Sequence, residues 1–492
     1  MAIPDLLAAT AARLPDKAVF VTADGRSVSY SELDAEADRV AGYLATKGIS
    51  PGDRVAIGMP NIPEFAYAYF GALKAGAVAV PLNVLLTAPE VTRILDDSGA
   101  RVLFTASPFD VVAAVGAHDA SSVESVVTVE KWDELGSSAA EPVARADSDL
   151  AALVYTSGTT GEPKGAMLTH GNLLANLRQQ MAIPEGAATE EDVLFLALPL
   201  FHIFGLNVAL GLLVMNGASG VLVERFEPVA TLKLIQDHRV SVLFGAPTMY
   251  SAWVGTPGAE QYDLSSVRLA VSGAAPLSVE IFAAFKELFG VEIYEGYGLT
   301  ETAPTLTSNR MGNTPRPGSI GRPIPEVEIR LVDEEGRDVE VGDPGELLVR
   351  GPNVFAGYWN REEDTKAAFS GEWFRTGDVA VRDEDGYYYL VDRKRDLIIV
   401  SGFNVFPSEI ESILLQHPKV AEAAVIGAPH AYTGEAVKAY VVPKSGSELS
   451  ANELERFVED RLARFKRPET FELVSELPHL PTGKIVKRAL RT

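Results

Sequence analysis

Between residues 27 and 105 the apolar positions follow two alternating periods. After Ser31 and Asp34, residues Ala37, Val40, Ala41 and Leu44 share one helical face, which predicts a helix opening near Ser31. Asp53–Gly58 reads as a strand, Ile62–Ala75 as a helix that Gly76 breaks, and Ala77–Pro81 as the next strand. Glu90–Ser98 reads as helix and Arg101–Thr105 as strand. The alternation returns with strands Gly220–Glu224, Ser241–Phe244, Leu269–Ser272 and Val291–Tyr294, separated by helices over 228–238 and 278–289. Strand and helix in regular turn imply a parallel sheet with helices on its faces.

From about residue 318 the period shortens. Glu326–Val332, Gly345–Arg350 and Tyr387–Val391 alternate in the manner of antiparallel strands, with Gly/Asp turns between them, which predicts a small β-rich subdomain. Asp392-Arg-Lys-Arg-Asp396 reads as a charged linker. Beyond it a separate pattern begins: strand Ile398–Val400, a helix over 408–416 with Pro407 near its start, strands over 421–427 and 436–442, and a helix over 451–464. The fold class expected is therefore α/β, with a large N-terminal domain over 1–394 and a compact α+β C-terminal domain over 395–492.

Composition narrows the partners. A chain of 492 residues needs more than one core. The net charge of -24 argues against nucleic acid and anionic membrane surfaces. From Asp396 onward 12 basic residues meet 13 acidic ones, a net of -1, so -23 falls on the first 395 residues and the C-terminal basic groups are set apart from an acidic body. The absence of cysteine excludes disulfides, thiolate metal sites and a cysteine nucleophile. The N-terminus lacks a basic and apolar leader, and the apolar stretch 193–223 is broken by Pro199, His202, Asn207 and Asn216, so a cytoplasmic enzyme without an integral membrane segment is expected.

The stretch richest in chemistry is Tyr155-Thr-Ser-Gly-Thr-Thr-Gly-Glu-Pro-Lys-Gly165, directly after the apolar run Leu150–Val154. Gly158, Gly161 and Gly165 can expose backbone N–H groups, while Thr156, Ser157, Thr159, Thr160 and Lys164 can complete a cage around phosphate oxygens. No Gly-Lys-Ser/Thr closes the loop, so it is not a Walker A motif. Further motifs follow in order: Leu198-Pro-Leu-Phe-His-Ile-Phe-Gly-Leu206, Ser272-Gly-Ala-Ala-Pro-Leu277, Glu295-Gly-Tyr-Gly-Leu-Thr-Glu-Thr302, Trp373-Phe-Arg-Thr-Gly-Asp-Val379, the Asp392–Asp396 run with Ser401-Gly402-Phe403, and Leu480-Pro-Thr-Gly-Lys484.

This series closely resembles the adenylate-forming superfamily of acyl-CoA synthetases, peptide-synthetase adenylation domains and beetle luciferases, over nearly the whole chain. The resemblance implies a mobile C-terminal domain and assigns roles by position. Gly273, Ala274, Ala275, Glu295, Gly296, Tyr297 and Gly298 would surround the adenine end of ATP. Thr300 would touch the α-phosphate, Glu301 would hold Mg2+, Asp378 would accept the ribose hydroxyls, and Arg393 would contact ribose and phosphate. His202, Phe204, Val208, Gly245, Gly273, Gly296, Gly298 and Leu299 would line the acyl pocket, with His202 close to the reacting carboxylate. Arg395 would be the hinge, where relatives usually carry Asp or Lys. Ser401, Gly402 and Phe403 would meet CoA, and Lys484 would be the catalytic lysine.

Two half-reactions are implied: a carboxylate attacks the α-phosphorus of ATP to give an acyl-adenylate and pyrophosphate, and the CoA thiol then displaces AMP. Ile203 and Phe204 stand where amino-acid-activating relatives place an acid, so the substrate is expected to lack an amine. Malonyl-CoA synthetases carry Arg where this chain has Gly296, which argues against a dicarboxylate. Gly296, Gly298, Gly245 and Ala274 suggest open space for a medium- or long-chain fatty acid, with aryl acids second. A carrier-protein-loading enzyme, a luciferase-like oxygenase and a binding protein remain as rivals, and monomer and homodimer stay equally open.

Overall fold

The computed structural model describes the chain apart from Met1 and residues 137–139, 158–162, 185, 313, 394–395, 397, 401–402, 431–433, 460, 463, 480–484 and 491–492. Its contacts divide it into two units, Met1–Glu328 with Arg350–Phe374, and Ile329–Val349 with Arg375–Thr492. Residues 329–349 and 375–393 of the β-rich segment thus have most of their contacts with the C-terminal part, and 350–374 with the first unit.

The first unit holds two sheets. In a nine-stranded sheet, Ala18–Thr22, Ser219–Leu222, Val193–Leu196, Val242–Gly245, Leu269–Ser272 and Ile293–Gly298 lie parallel in that order, with antiparallel strands at both edges. In a six-stranded sheet, Ser125–Thr128, Ala100–Thr105, Arg54–Gly58, Val78–Pro81 and Leu150–Ser157 are parallel, and Pro163–Thr169 closes the edge antiparallel. The parallel strands are apolar on both faces because helices cover them, as in Arg54–Gly58 and Val242–Gly245, where Val55, Ala56, Ile57, Val242, Leu243 and Phe244 are all buried.

The helices begin where the side chains can satisfy their first N–H groups. Ser29 accepts from Glu32 N at 3.1 Å, so Tyr30–Thr46 starts one residue before the expected Ser31. Glu90 folds back over the start of Ala88–Ser98, where its Oε2 accepts from Thr87 N and from Thr87 Oγ1, both at 2.8 Å, and Gly99 ends that helix in the left-handed conformation. In the second unit, the strand expected to end before Asp392 continues through Arg393: Tyr388–Arg393 pairs antiparallel with 378–382. Beyond it Phe403–Val405, Ile398–Val400, Gly434–Pro443 and Val420–His430 form a sheet in that order, covered by helices Pro407–Leu415 and Ala451–Glu459 around Ile398, Val405, Ile410, Leu414 and Leu454.

One buried histidine ties the N-terminus down. His170 Nδ1 accepts the N–H of Ile3 at 3.2 Å, and burial, reinforced by Arg145, pushes its pKa down to about 4. The folded protein keeps this imidazole neutral, while the unfolded chain protonates it near the ordinary value of 6.5. Stability from this site is therefore complete above that value and is lost as pH falls toward 4. Between pH 6.5 and roughly 5 the loss should reach about 2 kcal/mol. Chemical denaturation of wild type and His170→Gln across this range should show the wild type losing more stability; equal slopes would remove His170 from the account.

Candidate active site

In the nine-stranded sheet the chain reverses its winding at Val193–Leu196. The next strand in sequence lies on one side of it, and Val242–Gly245 lies on the other. A switch of this kind leaves a crevice beyond the carboxyl end of the strand. The segment carrying His202 leaves the carboxyl end of Val193–Leu196, and the other sheet fixes it. Asn61, just past Arg54–Gly58, accepts from Leu200 N at 2.9 Å and donates to Leu196 O at 3.1 Å and Leu198 O at 2.9 Å.

His202 is half-buried and its pKa is pushed down to about 4 by desolvation, so the imidazole is neutral near pH 7. Nδ1 accepts the N–H of Phe204 at 3.3 Å, which leaves the ring proton on Nε2. Phe204 then opens a π-helical stretch, Phe204–Gly211, that includes buried Val208. Asn207 anchors this uncommon turn by donating to Leu173 O at 3.1 Å and Ala303 O at 2.7 Å.

The expected open space is partly filled. Phe204 packs edge-on against Phe244, and its ring lies 3.0 Å from where a Cβ on Gly273 would be. A Cβ on Gly245 would meet the ring of Tyr250 at 3.0 Å, and Tyr250 Oη donates to Val271 O at 2.9 Å. A Cβ on Gly298 would stand 1.9 Å from Pro304 O, so this glycine serves a close backbone approach rather than a roomy pocket. Gly296 keeps an open side, since only Thr307 O lies near its absent Cβ, at 3.2 Å. The reading of Gly245 and Gly298 as free volume is corrected accordingly: aromatic rings and the returning backbone occupy it.

Glu295 is 7% exposed, at the start of the octapeptide. Its Oε1 accepts from Leu277 N at 3.3 Å, which ties strand Ile293–Gly298 to the loop Ser272–Leu277. Burial pushes this carboxyl up to about 8, so it is largely protonated at neutral pH. The tethered loop carries Gly273, Ala274 and Ala275, and Ala274 sits at φ +72°, a conformation that costs an L-residue roughly 1–2 kcal/mol. Tyr297 follows on the same strand, opposite Thr307.

Leu299 caps the short turn Thr300–Thr302, with its N–H on Thr302 Oγ1 at 3.0 Å. Glu301 lies within the turn. Its Oε1 accepts from Tyr358 Oη at 2.8 Å, and its backbone oxygen accepts from Phe355 N at 2.8 Å. Among the described residues no group of three or more metal-ligating side chains gathers. A Mg2+ ion commonly takes one carboxylate and completes its shell with phosphate oxygens and water, a demand that Glu301 fits.

The stretch 155–165 has antiparallel strands, Leu150–Ser157 and Pro163–Thr169, on its two sides rather than a strand and a helix. Thr156 pairs with Lys164 and Ser157 with Pro163 across the ladder. Gly158, Thr159, Thr160 and Gly161 lie outside the described residues. Lys164 pairs with Asp364 at 2.8 Å, and its ammonium stands 5.4 Å from the Tyr358 ring centre. The first unit therefore brings Lys164 and Glu301 to the same tyrosine. It also brings His202, Phe204, Gly245 and Gly273 to one set of strand ends.

In the second unit Asp378 faces Arg393 across an antiparallel ladder, and its N–H donates to Thr376 Oγ1 at 3.1 Å. Phe403 opens the strand Phe403–Val405. Arg395, Ser401, Gly402 and Lys484 lie outside the described residues. Sequence reasoning passed over Asn61, Asn207, Tyr358 and Asp364. The nearest signal was the run Gly357-Tyr-Trp-Asn360, a turn-like segment whose pairing with Pro163–Thr169 no local pattern announces.

Because the folded state holds a proton on Glu295 that the unfolded chain releases above about 4.5, its burial is costless below that value. The cost then grows by about 1.4 kcal/mol per pH unit until the folded pKa near 8 is reached. Glu295→Gln should therefore stabilise the protein, with a gain that widens from pH 5 to pH 8. Denaturation midpoints of both proteins across that range check this, and a constant difference would refute a protonated Glu295.

The model of the AMP-binding enzyme family matches residues 7–359, and that of the AMP-binding enzyme C-terminal domain matches 409–484. The chain is 39% identical to a feruloyl-CoA synthase of Amycolatopsis, over 98% of this chain and 96% of the relative. It is 34% identical to a long-chain-fatty-acid–CoA ligase of Bacillus subtilis, over 99% and 94%. The ATP-bound crystal structure of MatB from Rhodopseudomonas palustris superimposes with a TM-score of 0.91 at 36% identity, covering 100% of this chain and 98% of that one. With both family segments present in order and relatives matched over nearly the whole chain, this chain belongs to the AMP-binding enzymes, in the acyl-CoA synthetase branch of the adenylate-forming superfamily.

Proposed function

We propose that this enzyme activates a carboxylate whose acyl part is compact, apolar and without a second charge, aryl or medium-chain, ahead of the long-chain end of the medium- or long-chain range that the glycines alone suggest. The observation that carries this reading is the filling of the strand ends: the Phe204 ring over Gly273 and the Tyr250 ring beside Gly245 leave the side at Gly296 as the open direction. Neutral His202 offers Nε2–H as a donor without adding a charge that would hold a second carboxylate or be repelled by an ammonium. A longer aliphatic chain is the second reading, supported by the lack of any Cβ at Gly296.

Carboxylate and ATP are both anions, so the first step depends on positioning and charge neutralisation. The acid's oxygen attacks the α-phosphorus, the bond to the bridging oxygen breaks, and pyrophosphate leaves with the electron pair. Lys164 and the 156–161 loop hold the β- and γ-phosphates, and Thr300 contacts the α-phosphate. Glu301, fixed by Tyr358, provides the carboxylate for Mg2+, which when bound neutralises phosphate charge. Asp378 and Arg393 take the ribose side, and Lys484 bridges the reacting oxygens. Rotation about Arg395 then withdraws Lys484 and brings Ser401, Gly402 and Phe403 to the CoA thiol. The thiol attacks the acyl carbonyl, loses its proton and expels AMP.

Two measurements test this. ATP–pyrophosphate exchange across cinnamate, benzoate, butyrate, octanoate, palmitate, malonate and several amino acids, then repeated with CoA, should favour cinnamate or octanoate and yield the thioester. A preference for palmitate would establish the second reading, exchange only with malonate or an amino acid would overturn both, and exchange without thioester would point to a carrier-protein acceptor. Lys484→Ala should lose adenylation by about two to three orders of magnitude yet retain thioester formation from supplied acyl-adenylate. Equal loss of both half-reactions would sink the rotation.

A further inference from the structure

Lys164 has a protein partner in the place where a nucleotide phosphate would need it. Its ammonium is 2.8 Å from Asp364 Oδ1, and its side chain is only 12% exposed. Asp364 stands on the short helix Glu362–Ala368. That helix follows the segment in which Ala166 bridges Tyr358 and Trp359 N donates to Gly165 O at 2.8 Å. Thr365 locks the geometry, since its Oγ1 accepts from Tyr358 N at 2.9 Å and donates to Arg361 O at 2.9 Å. The carboxylate is thus delivered to the lysine by a braced segment, and Tyr358 holds the lysine's other flank at 5.4 Å. Asp364 itself is 38% exposed, so water screens its hold on the lysine.

We propose that Asp364 is a positioning residue that parks Lys164 when the phosphate site is empty and competes with phosphate for it during turnover. This rests on the reading of Lys164 as a phosphate ligand. ATP arrives by displacing the carboxylate from the ammonium. Once the α–β bond of ATP has broken, the carboxylate takes the lysine back and lowers the affinity for the departing pyrophosphate. No covalent step is involved. The pair sets how tightly a polyphosphate is held, and it does so equally for ATP and pyrophosphate, because both present the same phosphate groups to Lys164.

The test is calorimetric binding of ATP and of inorganic pyrophosphate, each with Mg2+, to the full-length enzyme. The variants are wild type, Asp364→Asn, Asp364→Glu, Lys164→Ala and the double variant Lys164→Ala/Asp364→Asn. Asp364→Asn should tighten both ligands about fivefold, the scale of one partly exposed ion pair. It should also lower KM for ATP without raising kcat and make pyrophosphate a stronger product inhibitor, while Asp364→Glu should return binding toward wild type. In the Lys164→Ala background Asp364→Asn should have no effect, which a merely structural role for Asp364 would not produce. Weakened or unchanged binding in Asp364→Asn, with Lys164→Ala still clearly impaired, overturns the parking role and leaves the phosphate-ligand reading intact. Unchanged binding in Lys164→Ala overturns both.

Discussion

An edge strand carries Lys164, and the surroundings of Lys164 and Glu301 follow from how that edge is covered. Pro163–Thr169 ends the six-stranded sheet, with one side left open by the antiparallel return of the chain. An open edge presents unpaired N–H and C=O groups that fold only if something completes them. Residues 356–359 do so: Met167 N donates to Gly357 O at 2.9 Å, Ala356 N to Met167 O at 3.0 Å, and Trp359 N to Gly165 O at 2.8 Å. Once that segment is laid along the strand, Tyr358 reaches Glu301 and Asp364 reaches Lys164. Covering the edge and orienting Lys164 and Glu301 are one structural act.

The second constraint is electrostatic. A site that must receive a carboxylate beside a triphosphate is served best by groups that do not add negative charge of their own. Burial achieves this at two points. Glu295 is pushed up to about 8, so it carries a proton while it accepts the Leu277 N–H, and His202 is pushed down to about 4, so it remains a neutral donor. The left-handed Ala274 sits in the loop that Glu295 tethers, so the backbone strain is held in place by a contact that itself costs free energy.

Much of this was legible in the sequence because it is local or periodic. Apolar runs gave the parallel strands, the helical spacing after Ser31 and from Glu90 gave helix starts one and two residues from those observed at Tyr30 and Ala88, and the spaced motifs gave the family. What escaped is long-range. Asn61 clamps residues 196–200 from another sheet, and Asn207 reaches Ala303 across 96 positions. A single asparagine has no period, so nothing along the chain marks it. The glycines misled for a related reason. The absence of a side chain reads as space, but the space beside Gly245 is filled by Tyr250, five residues on, and that beside Gly298 by Pro304. A glycine records that something comes close, and only the packing reveals whether it is a ligand or the protein itself.

The weakness of the Lys164–Asp364 pair is what suits it to the parking role proposed for Asp364. An ion pair that is partly open to water is worth about 0–1 kcal/mol, because Coulomb attraction is screened and two side chains lose freedom. A polyphosphate brings several charges to the same ammonium, and its oxygens accept charge-assisted hydrogen bonds that a single carboxylate cannot match in number. On the proposed reading of Lys164 as a phosphate ligand, a nucleotide would therefore win the lysine without a large barrier. A fully buried pair would behave differently: separating it would strand an unpaired charge at a cost of several kcal/mol. On the same reading an unpaired lysine would have the opposite fault, since nothing would help it release pyrophosphate. With Lys164 12% exposed and Asp364 38% exposed, the pair lies between these limits, strong enough to define where the lysine rests and weak enough to yield it.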